Sequence, residues 1–144
     1  KHVDIANDRL WFLTQVMFDL EAHKLPLKNG KEIMSLWRRI SRETRNRPMI
    51  KGGLRPAGFG HMAWGYASLY YGYDWSDIIA ADIFALFERT GLDNKHTGKL
   101  YRDLILSSGG VNDENAQVEK LLGRKFTSAA YFKYMTGLDF NNQK

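Results

Sequence analysis

The residues best suited to chemistry stand in one run: Phe59-Gly60-His61-Met62-Ala63-Trp64-Gly65-Tyr66-Ala67-Ser68-Leu69-Tyr70-Tyr71-Gly72-Tyr73. A tyrosine hydroxyl, with a pKa of about 10, stays protonated at neutral pH and can donate to a developing oxyanion without carrying charge. His61 adds a donor whose charge switches near physiological pH. Gly60 and Gly65 would let such a segment close over a substrate and release it. The same composition also describes an aromatic packing cluster, and composition alone does not separate the two.

Other chemistries find less support. His2, His23, His61 and His96 are far apart, and none sits four residues from another, so no helix presents a local metal-chelating pair. The absence of cysteine excludes disulfides, thiolate zinc sites and cysteine nucleophiles. Asp74 and Asp77 share a helix face and could hold a cation, although helical carboxylates are more often solvated or capping. Six residues separate Gly91 from Gly98, and Leu100 stands where a phosphate loop needs Ser or Thr. No Gly-x-Ser-x-Gly elbow is present.

The elements that must position the run read as helices joined by Gly, Pro and Asn stops. Leu10, Leu13, Met17 and Leu20 recur at helical spacing, widened by Trp11, Phe12, Val16 and Phe18 into an almost all-round apolar helix that Asn7 or Asp8 can cap. A second helix fits Lys31 to about Arg45, with Ile33, Leu36, Trp37 and Ile40 inward. From Pro48 to Gly65 two prolines and five glycines forbid a continuous helix and favour a mobile loop. Ile78, Ile79, Ile83, Phe84, Leu86 and Phe87 carry a strong helix to Gly91. Shorter helices fit Thr97 to Leu106, Asp113 to Leu122 and Thr127 to Met135. No strand pattern of useful length appears, so the fold class is all-α.

The chain has 144 residues, of which 44% are apolar and 13% aromatic, enough for a packed core and too many for disorder. No apolar run approaches the ~18 residues of a membrane span, and the most apolar stretch is broken by Asp74, Asp77 and Asp82. The net charge of +5 is concentrated: Lys31, Arg38, Arg39, Arg42, Arg45, Arg47, Lys51 and Arg55 face only Glu32 and Glu43 in the same stretch. Such a stretch could meet phosphates, an acidic partner or a peptide carboxylate, or simply be a solvated face. With only Trp37 interleaved to stack bases, nucleic acid is not the expected partner. The sequence opens on Lys1 without a signal-peptide pattern, and the expectation is a processed chain or a piece of a longer one.

Several motifs together resemble the thimet oligopeptidase and neurolysin family of zinc metallopeptidases. Phe59-Gly60-His61, Gly65-Tyr66, Tyr70-Tyr71-Gly72-Tyr73 and Trp75-Ser76 match its F-G-H, G-Y, Y-Y-G-Y and Trp-Ser sequence. The intervals of four residues between His61 and Tyr66, and six between Tyr66 and Tyr73, are those of neurolysin-like members. Tyr101-Arg102, Leu104-Ile105-Leu106 and Gly109-Gly110 resemble the family's Y-R-x-L-I-L-x-x-G-G, and Leu122-Gly123-Arg124 is a third match. Trp64 departs from the pattern, standing where neurolysin-like loops carry a second glycine.

The resemblance implies a single helical unit, residues 1–144, forming the C-terminal portion of a zincin-type catalytic domain that cuts short peptides. By that analogy Tyr73 stabilises the tetrahedral oxyanion, Tyr66 and His61 hold substrate carbonyls or assist the same charge, and Gly65 and Tyr70 contribute to substrate binding. The zinc motif HExxH is absent from these residues. The implied Zn2+ is therefore expected on a portion preceding Lys1, the chain alone is expected to be inactive, and that N-terminal portion is its expected partner. Cytoplasm and mitochondrion are the implied compartments. A different class also fits: a non-catalytic helical subunit derived from such a peptidase and used for protein or RNA contacts.

Overall fold

Apolar residues at helical spacing, cut by Gly and Asn stops, become helices throughout the described residues. The structure is a computed structural model that describes residues 4–46, 50 and 52–138; His2, Arg47, Pro48 and Lys51 lie outside the described residues. Six α-helices are formed: α1 (Ile5–Lys24), α2 (Gly30–Arg45), α3 (Gly72–Thr90), α4 (Lys95–Tyr101), α5 (Glu114–Leu122) and α6 (Ala129–Thr136). No strand occurs among the described residues, in keeping with the all-α expectation. Instead of a helix between α2 and α3 there are two short 3-10 turns, Arg55–Gly58 and Gly60–Met62.

Local chemistry sets the boundaries. Asn29 accepts from the N–H groups of Lys31 and Glu32 at 3.0 and 3.1 Å, and Glu32 accepts in return from the Lys28 N–H at 2.9 Å. This reciprocal arrangement satisfies donors that the first turn of α2 would leave orphaned. Helix α1 begins at Ile5, ahead of Asn7 and Asp8, and the Asp4 before it makes no side-chain cap bond. Asn7 is engaged elsewhere, accepting from Arg45 Nη2 at 3.5 Å. Helix α4 begins two residues before Thr97 because Asn94 accepts from the N–H groups of His96 and Thr97. It continues as a π turn, Arg102–Leu106, in which the Ser107 N–H donates to the Arg102 carbonyl at 2.8 Å. Helix α6 begins after Thr127, whose N–H is held by Asp82 at 2.8 Å.

The chain divides into two compact units, Lys1–Tyr73 and Asp74–Lys144. In the first, Val16, Phe18, Leu36, Trp37, Ile40, Phe59 and Tyr70 form the core. Trp37 receives the edges of Trp11 and Phe18, with ring centroids at 5.7 and 5.1 Å. The buried face of α1 mixes apolar and polar residues. Thr14, Gln15, Val16, Phe18 and Asp19 are buried, while Leu10, Leu13 and Met17 are each 41% exposed. The polar members of the buried face have partners, which lifts the penalty for placing them there. Thr14 Oγ1 lies 2.7 Å from Thr44 Oγ1 on α2, and Asp19 accepts two backbone N–H bonds.

In the second unit Ile83, Val118, Leu121 and Leu122 form the core, joined by Phe87, Tyr101, Leu104 and Ile105. Asp82, only 2% exposed, receives both guanidinium arms of Arg124 at 2.7 Å as well as the Thr127 N–H. Burial alone would raise its pKa. The hydrogen bonds from Arg124 and Thr127, with the charges of Arg124 and Arg89, outweigh that and hold the carboxyl below the ordinary carboxylate range. The stabilisation that follows is present above the unfolded value of about 3.9 and is lost as pH falls through the lower folded value. Because Arg124 is half-exposed, Arg124→Met is expected to cost roughly 2–4 kcal/mol, the lower side of the range for breaking a buried pair. Urea unfolding as a function of pH checks this: the deficit should be largest near neutrality and shrink as the pH falls through the acid range, where the variant's Asp82, no longer held ionised by Arg124, takes up a proton before the native one does.

Candidate functional site

The first unit gathers the sequence-predicted residues around one buried carboxylate. Asp19, on α1 and fully buried, accepts from the Ser68 N–H through Oδ1 at 3.0 Å and from the Tyr70 N–H through Oδ2 at 3.2 Å. The segment leading into α3 is thus tied to α1 by main-chain bonds. Ser68 lies in the left-handed region, φ +61°, a conformation that a short polar residue tolerates and that the Asp19 bond helps hold. Gly65, at φ +96°, supplies a second left-handed position, and the Tyr66 N–H closes that turn on the His61 carbonyl at 3.2 Å. A side chain there would be strained by the backbone rather than by any neighbour.

Tyr70 is the buried member of the group. Its ring stacks on Phe12 at 4.9 Å and meets Phe59 edge-on at 4.8 Å. His61 lies 4.9 Å from Tyr70, 5.5 Å from Tyr66 and 5.9 Å from Tyr73, centroid to centroid. Tyr66 and Tyr73 are stacked at 5.8 Å with an interplanar angle of 20°. The structure therefore brings together His61, Tyr66, Tyr70 and Tyr73, with Gly65 in the connecting turn. Tyr66 and Tyr73 are 45% and 42% exposed, so their rings present a surface while Tyr70 forms its base. The hydrogen bond with Tyr66, then partial burial and the neighbouring phenols, push the Tyr73 pKa above the ordinary tyrosine value. Burial raises Tyr70 as well, against the opposing charge of Arg55. Both hydroxyls are protonated at neutral pH, as an ordinary tyrosine is, and can donate.

Asp19 and its neighbour His23 escape a motif search. The signal that could have found them is a lone acid inside an otherwise apolar helical stretch, four residues before a histidine. Trp64, 83% exposed, stands on the same loop with its indole Cδ1 3.4 Å from where a Gly60 side chain would begin.

The basic stretch is partly engaged within the unit. Arg45 and Arg55 lie over the Trp11 ring at 4.6 and 4.9 Å, and Arg39 pairs with Glu43 at 3.3 Å. A groove of about 1020 Å³ lined by Ile33, Met34, Leu54, Pro56, Lys31 and Arg38 contains none of the residues predicted for the site. Among the described residues no group of three or more His, Asp or Glu could hold a metal ion. Asp74 accepts instead from the Tyr131 hydroxyl at 3.1 Å. No helix among the described residues is long and apolar enough to cross a membrane.

Comparison with known proteins places the chain in a family. A model described as peptidase family M3 matches residues 1–137. The chain is 32% identical over 130 residues to a thimet-like oligopeptidase of Dictyostelium discoideum, covering 88% of this chain and 19% of that protein. It is 34% identical over 121 residues to oligopeptidase A of Escherichia coli (81% and 18% covered) and 31% identical over 138 residues to saccharolysin of Saccharomyces cerevisiae (92% and 19%). It thus spans about a fifth of the length of the curated relatives it matches. With a family model matched across most of its length, the chain belongs to peptidase family M3.

Proposed function

We propose that this chain is the C-terminal portion of the catalytic domain of a zinc oligopeptidase acting on short peptides, and that it supplies the tyrosine and histidine side chains that hold substrate and stabilise the oxyanion. The observation that carries the proposal is the cluster itself: the rings of His61, Tyr66 and Tyr73 lie within 5.9 Å of one another, with Tyr66 and Tyr73 exposed. Tyr73 donates to the oxygen on which negative charge gathers as the peptide carbonyl becomes tetrahedral. Tyr66 and His61 hold substrate carbonyls or reinforce the same charge, and Gly65 and Tyr70 shape the segment around the peptide. A protonated phenol suits this role because it needs no counter-charge before the reaction and strengthens its bond as charge develops.

The zinc ion of the family resemblance does not fit these residues, since no group of three or more His, Asp or Glu among those described could hold a metal. In this proposal its ligands belong to the remainder of the peptidase, the chain's partner, and the chain by itself does not hydrolyse peptides. The compartments that fit are the cytoplasm and the mitochondrion.

In the complete peptidase, Tyr73→Phe is expected to lower turnover of a quenched fluorescent peptide by roughly a hundred- to a thousandfold, the cost of one oxyanion donor. Turnover within a factor of two of wild type would remove Tyr73 from this role. A second measurement needs no substrate. Tyr73 should ionise above the ordinary tyrosine value, and Tyr66→Phe should shift it back toward that value by removing the hydrogen bond and the neighbouring phenol. NMR titration with tyrosine labelled at the phenolic carbon reads this directly, and an unmoved Tyr73 in the variant would contradict the coupling.

A further inference from the structure

We infer that Asp19, oriented by His23, is a positioning residue for the tyrosine segment: its carboxylate sets where the hydroxyls of Tyr66 and Tyr73 stand relative to a bound peptide. The inference rests on the peptidase function proposed above and adds to it two residues that touch no substrate.

Two backbone donors converge on the Asp19 carboxylate, and a histidine ring stands beside it. The Ser68 and Tyr70 N–H groups bond separate oxygens, and His23 Nδ1 lies 3.1 Å from Oδ1. The same Nδ1 is 2.7 Å from the Asp19 carbonyl oxygen. Both of its neighbours are acceptors, so Nδ1 carries a proton whether the ring is neutral or charged. His23 thereby keeps an N–H beside the carboxylate, and the carboxylate holds the backbone at Ser68 and Tyr70.

Position passes onward by contact. The Tyr70 ring is held between Phe12 and Phe59, and the rings of His61 and Tyr73 rest on it at 4.9 and 5.3 Å. Tyr66 in turn stacks on Tyr73. A shift of the Ser68–Tyr70 backbone is therefore one side chain away from the hydroxyls, and a displacement of about 1 Å at a reacting group can cost about a hundredfold in rate.

The test uses the complete peptidase with a quenched fluorescent peptide. Asp19→Asn preserves shape but turns one acceptor into a donor facing a backbone N–H. The expected result is a kcat about 10- to 100-fold lower, a KM changed less than about 3-fold, and faster amide exchange at Ser68 and Tyr70 with exchange at Ile40 unchanged. Because Asp19 acts through the cluster, adding Asp19→Asn to Tyr73→Phe should cost less than about 3-fold further. Full additivity, an unchanged kcat, or an effect confined to KM would overturn the inference. If Asp19→Asn does not fold, His23→Ala decides: a kcat about 3- to 10-fold lower that is likewise absorbed by Tyr73→Phe supports it, and an unchanged kcat overturns it. The two levels separate cleanly. Loss of turnover in Tyr73→Phe with none in Asp19→Asn defeats only the positioning role, whereas intact turnover in Tyr73→Phe defeats the proposed function and this inference with it.

Discussion

A carboxylate withdrawn from water must be supplied with hydrogen-bond donors, since an uncompensated buried charge costs several kcal/mol. Asp19 meets that condition with backbone N–H groups nearly fifty residues away in the chain. The constraint acts in both directions. The segment before α3 turns its amides toward the buried Asp19 on α1, and the left-handed Ser68 presents its N–H to that carboxylate. The aromatic rings around Tyr70 then pack on a backbone already held, and their geometry follows from the clamp.

The second unit uses the same device on different partners. Asp82 is again a buried acid on a long helix, and it again receives a backbone N–H from a distant connection, here at Thr127, with Arg124 adding charge. Gly123, at φ +71°, ends α5 so that Arg124 leaves the helix toward Asp82. The Leu122-Gly123-Arg124 motif thus has a structural explanation as stop and anchor. In both units a helical aspartate fixes a loop and apolar packing fills in around it.

Much of this was legible in the residues. Helix existence followed from apolar spacing and Gly or Asn stops, because these act within a few residues of one another. The grouping of His61, Tyr66, Tyr70 and Tyr73 was legible as a motif, though stacking of Tyr66 on Tyr73 and burial of Tyr70 were not, since both depend on Phe12 and Phe59. The burial of Thr14 and Asp19 on α1 was not legible for a related reason. Periodicity singles out Leu10, Leu13 and Met17, but Thr14 and Asp19 have partners on other elements, and no local pattern shows a partner thirty or fifty residues off. The start of α4 ahead of Thr97 turned on Asn94, whose side chain caps the first turn, while the early start of α1 has no capping bond behind it.

The π turn at Arg102–Leu106 has a consequence for sequence length. An i→i+5 turn contains one residue more than an α turn, and each residue of a helix advances the chain by about 100°. Tyr101, Leu104 and Ile105, spaced i, i+3 and i+4, face the core of their unit as they would on an α-helix, so the extra residue acts on the chain that follows them. Deleting one residue here would restore regular winding and turn the connection after Leu106 by about 100° about the helix axis, so the length between Tyr101 and Gly109 matters apart from which side chains fill it.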